Sequence, residues 1–351
     1  MTRLKSQPMP PPTCPKQLLK IVAVLFPQQP ACDHRTEKDE EEVIPPATVE
    51  ELMRACAKVG NTKAPGLDGI PNVALKAAIN AAPEIFLDMY NACLQRGVFP
   101  GRWKQQRLVL PKGRKPPDEP SSYRPLCMID TAGKVLERII HRRIEKVAEQ
   151  HLADNQYGFR KSRSTLDAID LVVNIARNAI SGERWKGGSK MYCLVATLDI
   201  KNAFNSAKWN CIMEALERMD IPGYLRKMVA SYFTDRVLKY DTKNGPQEYR
   251  VTGGVPQGSV LGPLLWNIMY DGLLKFVLPR TVKLVAFAND VALVIVAKHL
   301  KDINNLFDVA FARIRRWMET VGLTVGRTQD QGGADHQQEE ARDHHAASWR
   351  A

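Results

Sequence analysis

The fold is decided by Leu284-Val-Ala-Phe-Ala-Asn-Asp-Val-Ala-Leu-Val-Ile-Val296, a stretch near the end of the chain. Two apolar runs flank Ala288-Asn-Asp290, and this pattern predicts a β-hairpin with a tight turn. Upstream, Met191 to Leu198 is another apolar run and predicts a strand that ends at Asp199. If the hairpin and this strand share one sheet, Asp199 and Asp290 converge at one edge of it.

Carboxylates that converge at a sheet edge repel each other unless cations neutralise them. Mg²⁺ does so in proteins, where it binds one or two carboxylates together with phosphate oxygens. Two such ions stabilise the attacking and leaving oxygens of a phosphoryl transfer. Asn and Asp are also common turn formers, and for the hairpin taken alone this alternative is the simpler one. The carboxylates therefore predict a two-metal site only together with further motifs.

The charge of the chain points to a polyanionic partner. The 351 residues suffice for one large domain or two modest ones, and the formal net charge is +12. An excess of Lys and Arg on a folded surface attracts polyanions, and nucleic acid is the first candidate. Mere solubility is the alternative explanation of the same charge.

The cysteines and the apolar segments bear on the compartment. Seven cysteines occur without a C-x-x-C pair or a histidine at zinc-ligand spacing, which indicates free thiols in a reducing compartment. Residues Met1 to Lys20 lack the apolar core of a signal peptide, and no apolar run approaches the length of a membrane span. An intracellular protein of the cytoplasm and nucleus, without a membrane partner, is expected.

Helical and strand patterns alternate irregularly along the chain and predict an α+β fold. Amphipathic helices are expected at Val49–Ala57 after a Thr48 cap, at Lys134–Glu149, and at Ile303–Val321 before Gly322. The second of these helices carries a basic face, which is either solvated charge or a contact to a nucleic-acid backbone. Further patterns predict helices at Asn72–Gln95, Trp209–Met219 and Tyr224–Phe233, and a strand at Arg107–Leu110.

Composition divides the chain into three parts. Residues 1–48 are rich in Pro and charge and are expected to be poorly ordered. Residues 49–325 are expected to fold. From residue 326 to residue 351 the apolar pattern stops, and a disordered, aberrant tail is expected. A frameshift in the gene near residue 326 is one hypothesis for this change.

Six motifs follow one another along the folded part. They are Lys63-Ala-Pro-Gly-Leu-Asp-Gly-Ile-Pro71, Tyr123-Arg-Pro-Leu126, Gln156-Tyr-Gly-Phe-Arg-Lys161 with Arg163-Ser-Thr165, Leu198-Asp-Ile-Lys-Asn-Ala-Phe204, Gly254-Val-Pro-Gln-Gly-Ser-Val-Leu-Gly-Pro263 and Phe287-Ala-Asn-Asp290. This ordered set resembles the reverse transcriptases of non-LTR retrotransposons, and most closely the arthropod jockey-like and ribosomal-DNA-inserting groups. The resemblance covers about Val49 to Val325.

The resemblance implies the fingers and palm of a right-hand polymerase, with an antiparallel palm sheet flanked by helices and with the thumb missing. The implied activity is RNA-directed DNA polymerase, a nucleotidyltransferase. Its partners are an RNA template, a DNA primer and deoxynucleoside triphosphates, and its cofactors are two Mg²⁺ ions. An intron-encoded maturase shares the palm motifs, but the sequences of the motifs Lys63–Pro71 and Gly254–Pro263 fit the retrotransposon type better.

The resemblance also implies a role for each matching position in the metal site. Asp199 matches the first palm carboxylate, which binds both ions, and the backbone carbonyl of Ile200 adds a ligand. Asp290 matches the last carboxylate of the hairpin motif. Asn289 stands where the family has a metal-binding aspartate.

Five residues are implied to bind the incoming nucleotide. Arg124 matches the fingers arginine that clamps the triphosphate, and Lys112 matches a second triphosphate contact. Phe204 matches the aromatic wall of the sugar pocket, although an ordinary core phenylalanine is the alternative. Gln257 and Gly258 lie in the glycine-containing loop under the nascent base pair, where backbone approaches nucleotide closely.

The motif from Gln156 to Arg163 matches a fingers segment near the template. Its cations Arg160, Lys161 and Arg163 are candidates for phosphate contacts, and a solvated loop explains them almost as well.

Two departures from the family imply a catalytically impaired copy. An amide at residue 289 is a neutral and weaker ligand for a hard cation than a carboxylate. Beyond Gly322, the family continues into further strands, a primer grip and a thumb, whose motifs are absent here. Two hypotheses remain: a working polymerase, or an inactive relic that at most binds nucleic acid through its basic surface.

Overall fold

The computed structural model describes residues 13–30, 42–111, 116, 119–181 and 190–326. The described residues form helices α1 (Pro15–Leu25), α2 (Val49–Ala57), α3 (Asn72–Ala81), α4 (Pro83–Arg96), α5 (Thr131–Ala148), α6 (Thr165–Ile180), α7 (Ala203–Ser206), α8 (Trp209–Arg218), α9 (Gly223–Phe233), α10 (Leu261–Leu274) and α11 (Leu300–Val321). Their strands are β1 (Gln105–Val109), β2 (Leu126–Met128), β3 (Tyr192–Leu198), β4 (Ile200–Lys201), β5 (Arg236–Thr242), β6 (Gly245–Val251), β7 (Val282–Phe287), β8 (Asp290–Ala297) and β9 (Thr324–Val325). This mixture of helices and strands agrees with the predicted α+β class.

The chain divides into two compact units. Unit 1 consists of Met1–Leu152 and Phe204–Tyr270, and unit 2 consists of Ala153–Ala203 and Asp271–Ala351. Unit 1 holds a four-stranded sheet in the order β2-β1-β5-β6. In this sheet β1 runs parallel to β5, whereas the β1–β2 and β5–β6 pairs are antiparallel.

The helices of unit 1 begin and end where local chemistry dictates. Helix α2 starts at a capping box, in which the Thr48 hydroxyl accepts the N–H of Glu51 and the Glu51 carboxylate accepts the N–H of Thr48. The helical pattern expected over Asn72–Gln95 is broken between α3 and α4. Pro83 disfavours helical backbone at Ala82, which has φ −144° and ψ 67°.

Helix α5 agrees with its predicted amphipathic pattern, but its basic face is partly structural. Arg143 makes a bidentate contact with the Glu51 carboxylate and also donates to the carbonyls of Pro45 and Pro46. Arg138 donates to the carbonyl of Lys58. These two guanidinium groups therefore tie the segment before α2, and the end of α2, to α5.

Part of the segment expected to be poorly ordered is helical. Helix α1 buries Leu18, Ile21, Val22 and Leu25, which lie at the i, i+3, i+4, i+7 spacing of one helix face. The chain that follows contacts the β5–β6 hairpin, where the hydroxyl of Tyr249 donates to the carbonyl of Phe26. The prediction for residues 1–12, 31–41 and 327–351 lies outside the described residues.

Unit 2 is built on an antiparallel sheet in the order β3-β8-β7. The predicted hairpin and its pairing with the upstream strand are both confirmed. Strand β8 is central, and helices α6 and α11 pack against the sheet. Consecutive side chains from Leu293 to Ile295 are buried, which explains why the sequence of β8 after Asp290 is apolar and does not alternate.

Helix α11 ends at Gly322, which has φ 81°, as its pattern predicted. The chain then forms β9, which pairs with β4. Among the helices of the described ranges, none combines the length and the apolar character needed to cross a lipid bilayer.

Candidate active site

The sheet of unit 2 brings two carboxylates to one edge. Leu198, the last residue of β3, pairs with Val291 of β8. Asp199 follows the first of these residues, and Asp290 precedes the second, so the antiparallel register sets the two aspartates opposite each other. The convergence expected from the apolar runs is therefore present within this unit.

The two carboxylates interact electrostatically. Burial raises the pKa of Asp290, and the negative charge of Asp199 raises it further. The side-chain amide of Asn289 donates to the Asp290 carboxylate at 3.3 Å. Residue 289 thus contributes a neutral hydrogen-bond donor, rather than a third negative charge, to this edge of the sheet.

The backbone of Asp199 is held by the chain after α11. Its carbonyl accepts the N–H of Gly326 at 2.7 Å, and the neighbouring Ile200 pairs with Val325 across β4 and β9. A Cβ atom at residue 326 would lie 3.2 Å from a carboxylate oxygen of Asp199. Gly326, which the sequence assigned to the tail, therefore belongs to the folded part and lies beside the site.

An open cleft of ≈ 600 Å³ leads to the two carboxylates. Helix α6 lines it with Ile169, Val172 and Val173, and the sheet lines it with apolar side chains of β3, β7 and β8. Asp199 and Asp290 lie in this lining, so the polar edge of the sheet is continuous with an apolar cavity.

The donor set suits a hard divalent cation. Asp199 and Asp290 offer carboxylate oxygens, and Asn289 offers an amide oxygen, which are the ligand types that Mg²⁺ and Ca²⁺ take. Within the described ranges, no group of three or more His, Cys, Asp and Glu side chains is placed to hold a metal ion. This edge of the sheet therefore carries a pair of carboxylates, Asp199 and Asp290, and an amide at residue 289.

The motif that begins at Gln156 lies against the hairpin of the same unit. The N–H of Tyr157 donates to the carbonyl of Ala286 at 2.8 Å, and the N–H of Ala286 donates to the carbonyl of Asn155 at 2.8 Å. Arg160 donates to the carbonyl of Ala153, and Arg163 pairs with Asp154. Two of the three cations that were candidates for phosphate contacts therefore bind their own loop.

Phe204, in unit 1, is half-buried and its ring lies 5.0 Å from the ring of Trp266. The carbonyl of Phe204 accepts the N–H of Val255 at 2.7 Å. Gly254 has φ 76°, and a Cβ atom there would lie 2.6 Å from the Cα of Asn205. The motif that begins at Gly254 thus packs closely against Asn205, which follows the motif ending at Phe204. Residue 254 must be glycine for the two backbones to come this close.

Gln257 and Gly258, two further candidates for the nucleotide site in unit 1, lie close to the backbone of Cys127. The N–H of Cys127 donates to the carbonyl of Gln257 at 2.8 Å, and a Cβ atom at Gly258 would lie 2.7 Å from the carbonyl oxygen of Cys127. Arg124, three residues before Cys127, is exposed. The structure therefore joins the segment of Arg124 to Gln257 and Gly258, while Lys112 lies outside the described residues.

One residue behind this loop was missed by the sequence analysis. Glu137 of α5 is fully buried, and its carboxylate accepts the N–H groups of Val260 and Leu261 at 2.6 and 3.0 Å. Burial raises its pKa, while these two hydrogen bonds and the charge of Arg236 act in the opposite direction. The signal was a glutamate in the apolar stripe of an amphipathic helix.

Comparison with known proteins identifies the family. Residues 110–328 match the protein family described as "Reverse transcriptase (RNA-dependent DNA polymerase)". The chain therefore belongs to the reverse transcriptases, and its relatives place it with the polymerases of non-LTR retrotransposons. The resemblance found in the motifs is confirmed.

Two relatives from Drosophila melanogaster illustrate the match. The chain is 32% identical over 82% of its length to the putative 115 kDa protein in the type-1 retrotransposable element R1DM, and it spans 26% of that protein. It is 27% identical over 79% of its length to the RNA-directed DNA polymerase from the mobile element jockey, and it spans 30% of that polymerase. The chain thus spans about a quarter to a third of the length of these curated relatives.

A solved structure of telomerase from Candida albicans, in complex with a fragment of telomeric RNA, aligns with 75% of this chain and 47% of that protein. The sequence identity is 13% and the TM-score is 0.47.

Proposed function

We propose that this chain is the fingers and palm region of an RNA-directed DNA polymerase. The antiparallel sheet of unit 2, with its two aspartates, is assigned to the palm, and Arg124 and the motif that begins at Gln156 are assigned to the fingers. The observation that carries the proposal is the opposed placement of Asp199 and Asp290 at the meeting ends of β3 and β8. Six motifs in family order and the match to residues 110–328 support it.

In the proposed reaction, the 3′-hydroxyl oxygen of a DNA primer attacks the α-phosphorus of a deoxynucleoside triphosphate on an RNA template, and the hydroxyl proton passes to solvent. A new P–O bond forms, the bond to the β-phosphate breaks and pyrophosphate leaves. When bound, two Mg²⁺ ions supply positive charge to the attacking and leaving oxygens. Asp199, Asp290 and the carbonyl of Ile200 are the proposed ligands.

Five residues of the family motifs are proposed to position the nucleotide. Arg124 and Lys112 contact the triphosphate, for which a guanidinium is suited because it donates in a bidentate fork. The ring of Phe204 walls the sugar pocket and selects deoxyribose by excluding a 2′-hydroxyl. Gln257 and Gly258 contact the nucleotide through a loop whose backbone lies against that of Cys127.

We further propose that this copy is catalytically impaired by Asn289. Removal of one negative charge between two divalent ions costs several kcal/mol of metal and transition-state binding. At about 1.4 kcal/mol per decade, the loss is on the order of a thousandfold or more in rate. The hydrogen bond from the Asn289 amide to Asp290 supports this, because it occupies a carboxylate oxygen that a metal ion needs.

Primer extension on an RNA template tests both proposals. The unmodified chain is compared with Asn289→Asp in the presence of Mg²⁺ and deoxynucleotides, and Asn289→Asp combined with Asp199→Asn serves as the inactive control. We expect extension by Asn289→Asp, at a rate on the order of a thousandfold above that of the unmodified chain. Efficient extension by the unmodified chain would show that it is not impaired.

The second candidate function is nucleic-acid binding without chemistry. The net charge of +12 together with Asn289 favours it. Binding of a labelled primer–template with a steep salt dependence is expected under both readings, since each relies on phosphate contacts. Tight binding combined with no extension by folded Asn289→Asp would favour the binding function over the polymerase.

A further inference from the structure

The turn that carries residues 289 and 290 has an unusual backbone. Strands β7 and β8 are joined through the two residues between the Phe287–Asp290 pair. Ala288, the first of these two, has φ 58°, in the left-handed region that a residue with a Cβ atom rarely adopts. Such a conformation persists only where its surroundings hold it.

The side chain of Gln156 forms hydrogen bonds to both the N–H and the carbonyl group of Ala288. Its amide oxygen accepts the N–H of Ala288 at 3.1 Å, and its amide nitrogen donates to the carbonyl of Ala288 at 3.3 Å. The same oxygen accepts the N–H of Gly158 at 2.9 Å. Gln156 is 1% exposed, so these hydrogen bonds form away from solvent.

The chemistry of an uncharged amide is required at this position. The contact needs one acceptor for two N–H groups and one donor for a carbonyl, which a primary amide supplies on neighbouring atoms. An ionised carboxylate has no donor and would add negative charge next to Asp290. A hydroxyl is too short to reach both groups of Ala288 from the same backbone position.

Gly158 allows the segment to come this close to the turn. A Cβ atom at residue 158 would lie 2.1 Å from the N atom of Ala288 and 2.7 Å from its Cα. Both of these atoms belong to the backbone, and the neighbouring hydrogen bond from Tyr157 to Ala286 joins the segment to β7.

We propose that Gln156 and Gly158 are positioning residues for the metal-site turn: they hold Ala288 in its left-handed conformation and thereby aim residues 289 and 290 toward Asp199. A place near the template is the family expectation for this motif. Beside that expectation, the contacts of Gln156 connect the motif to the edge of the sheet that carries the carboxylates. The consequence for metal binding rests on the proposed polymerase function, whereas the effect on the turn does not.

Amide hydrogen exchange tests the effect on the turn without metal or activity. Gln156→Met keeps the volume of the side chain and removes its hydrogen bonds. We expect the N–H of Ala288 to exchange at least about tenfold faster in Gln156→Met than in the unmodified chain. Gly158→Ala is expected to have the same effect by displacing the two backbones.

A matched control lies one residue earlier. The amide of Asn155 donates to the carbonyls of Leu274 and Leu284 and does not contact Ala288. Asn155→Leu therefore removes two hydrogen bonds from the same segment, and it is expected to lower the melting temperature while leaving exchange at Ala288 unchanged. Equal acceleration by Asn155→Leu and Gln156→Met, or none by either, would overturn the proposal.

Metal binding provides the second readout. In the Asn289→Asp chain, we expect Gln156→Met to weaken Mn²⁺ binding, measured by electron paramagnetic resonance, by about 10- to 100-fold, as for other residues that orient metal ligands. Asn155→Leu should leave the affinity unchanged. If Asn289→Asp with native Gln156 binds no Mn²⁺, the polymerase proposal fails, and exchange at Ala288 still decides the role of Gln156. If Mn²⁺ binds equally with and without Gln156, the positioning role is refuted.

Discussion

We expect Glu137→Ala to destabilise unit 1 strongly. The carboxylate of Glu137 accepts the first N–H group of α10 and the N–H group before it, at Leu261 and Val260. These donors have no intrahelical acceptor, because they lie at a helix N-terminus. Replacement by alanine removes their acceptor inside a packed region.

The magnitude follows from the two donors. A buried N–H left without an acceptor costs about 1–3 kcal/mol, and the N–H of Leu261 is buried while that of Val260 is partly buried. Loss of the side-chain methylenes leaves a small cavity, for about 1 kcal/mol more. We therefore expect Glu137→Ala to lower the free energy of unfolding by about 3–7 kcal/mol, toward the lower end because the N–H of Val260 is only partly buried.

Urea denaturation followed by circular dichroism measures this loss. Lys146→Ala, on an exposed position of the same helix, is the control and should change stability by less than about 0.5 kcal/mol. Glu137→Gln keeps an acceptor oxygen and should lose less than Glu137→Ala. A loss below about 1 kcal/mol for Glu137→Ala would refute the reasoning, since it would mean that the two N–H groups find other partners.

The pH dependence gives an independent check on Glu137. Burial raises its folded-state pKa above the ordinary value of 4.5, so the folded chain keeps this proton at pH values where the unfolded chain has lost it. The contribution of this group to stability therefore falls as the pH rises from 4.5 toward the folded-state pKa. Glu137→Gln does not titrate, and across this window its stability should improve relative to the unmodified chain.

Two further predictions concern unit 1. Burial alone raises the pKa of Glu51, but the hydrogen bonds from Arg143 and Thr48 outweigh it and lower the pKa below 4.5. Glu51→Gln should therefore lower the free energy of unfolding by about 1 kcal/mol at neutral pH. The difference in melting temperature between Glu51→Gln and the unmodified chain should vanish as the pH falls below 4.5 through the folded-state pKa. Burial raises the pKa of Cys127 to about 12, whereas backbone hydrogen bonds from Gln17 and Lys16 lower that of Cys14. Alkylation of the native chain at about pH 8, followed by peptide mass spectrometry, should label Cys14 and spare Cys127; equal labelling would contradict the burial of Cys127.

Elements with strong local patterns were predicted well. The hairpin of β7 and β8 was expected from two apolar runs around a turn, and α11 was expected to end at Gly322. The Thr48 cap of α2 was expected as well. These features depend on residues close together in the chain, so backbone geometry and short-range hydrogen bonds decide them.

Other elements were missed although a signal was present. Helix α6 begins with a capping box between Ser164 and Asp167, and α1 carries a complete apolar stripe. No helix was predicted at Thr165–Ile180, which follows the motif expected near the template, and residues 1–48 were expected to be poorly ordered. In both cases a motif or a composition bias obscured an ordinary helical period.

The sequence by itself determined the family, the antiparallel hairpin and the pair of aspartates, because ordered motifs and local periodicity carry that information. Only the tertiary structure decided the surroundings of these residues: the hold of Gln156 on Ala288, the contact of Gly326 with Asp199, and the place of Glu137 behind α10. Each of these contacts joins segments more than 100 residues apart, as the separations of 132 and 124 residues for the first and third contacts show. Pairing at such distances depends on how whole elements pack, and the residues near each partner in the chain do not specify it.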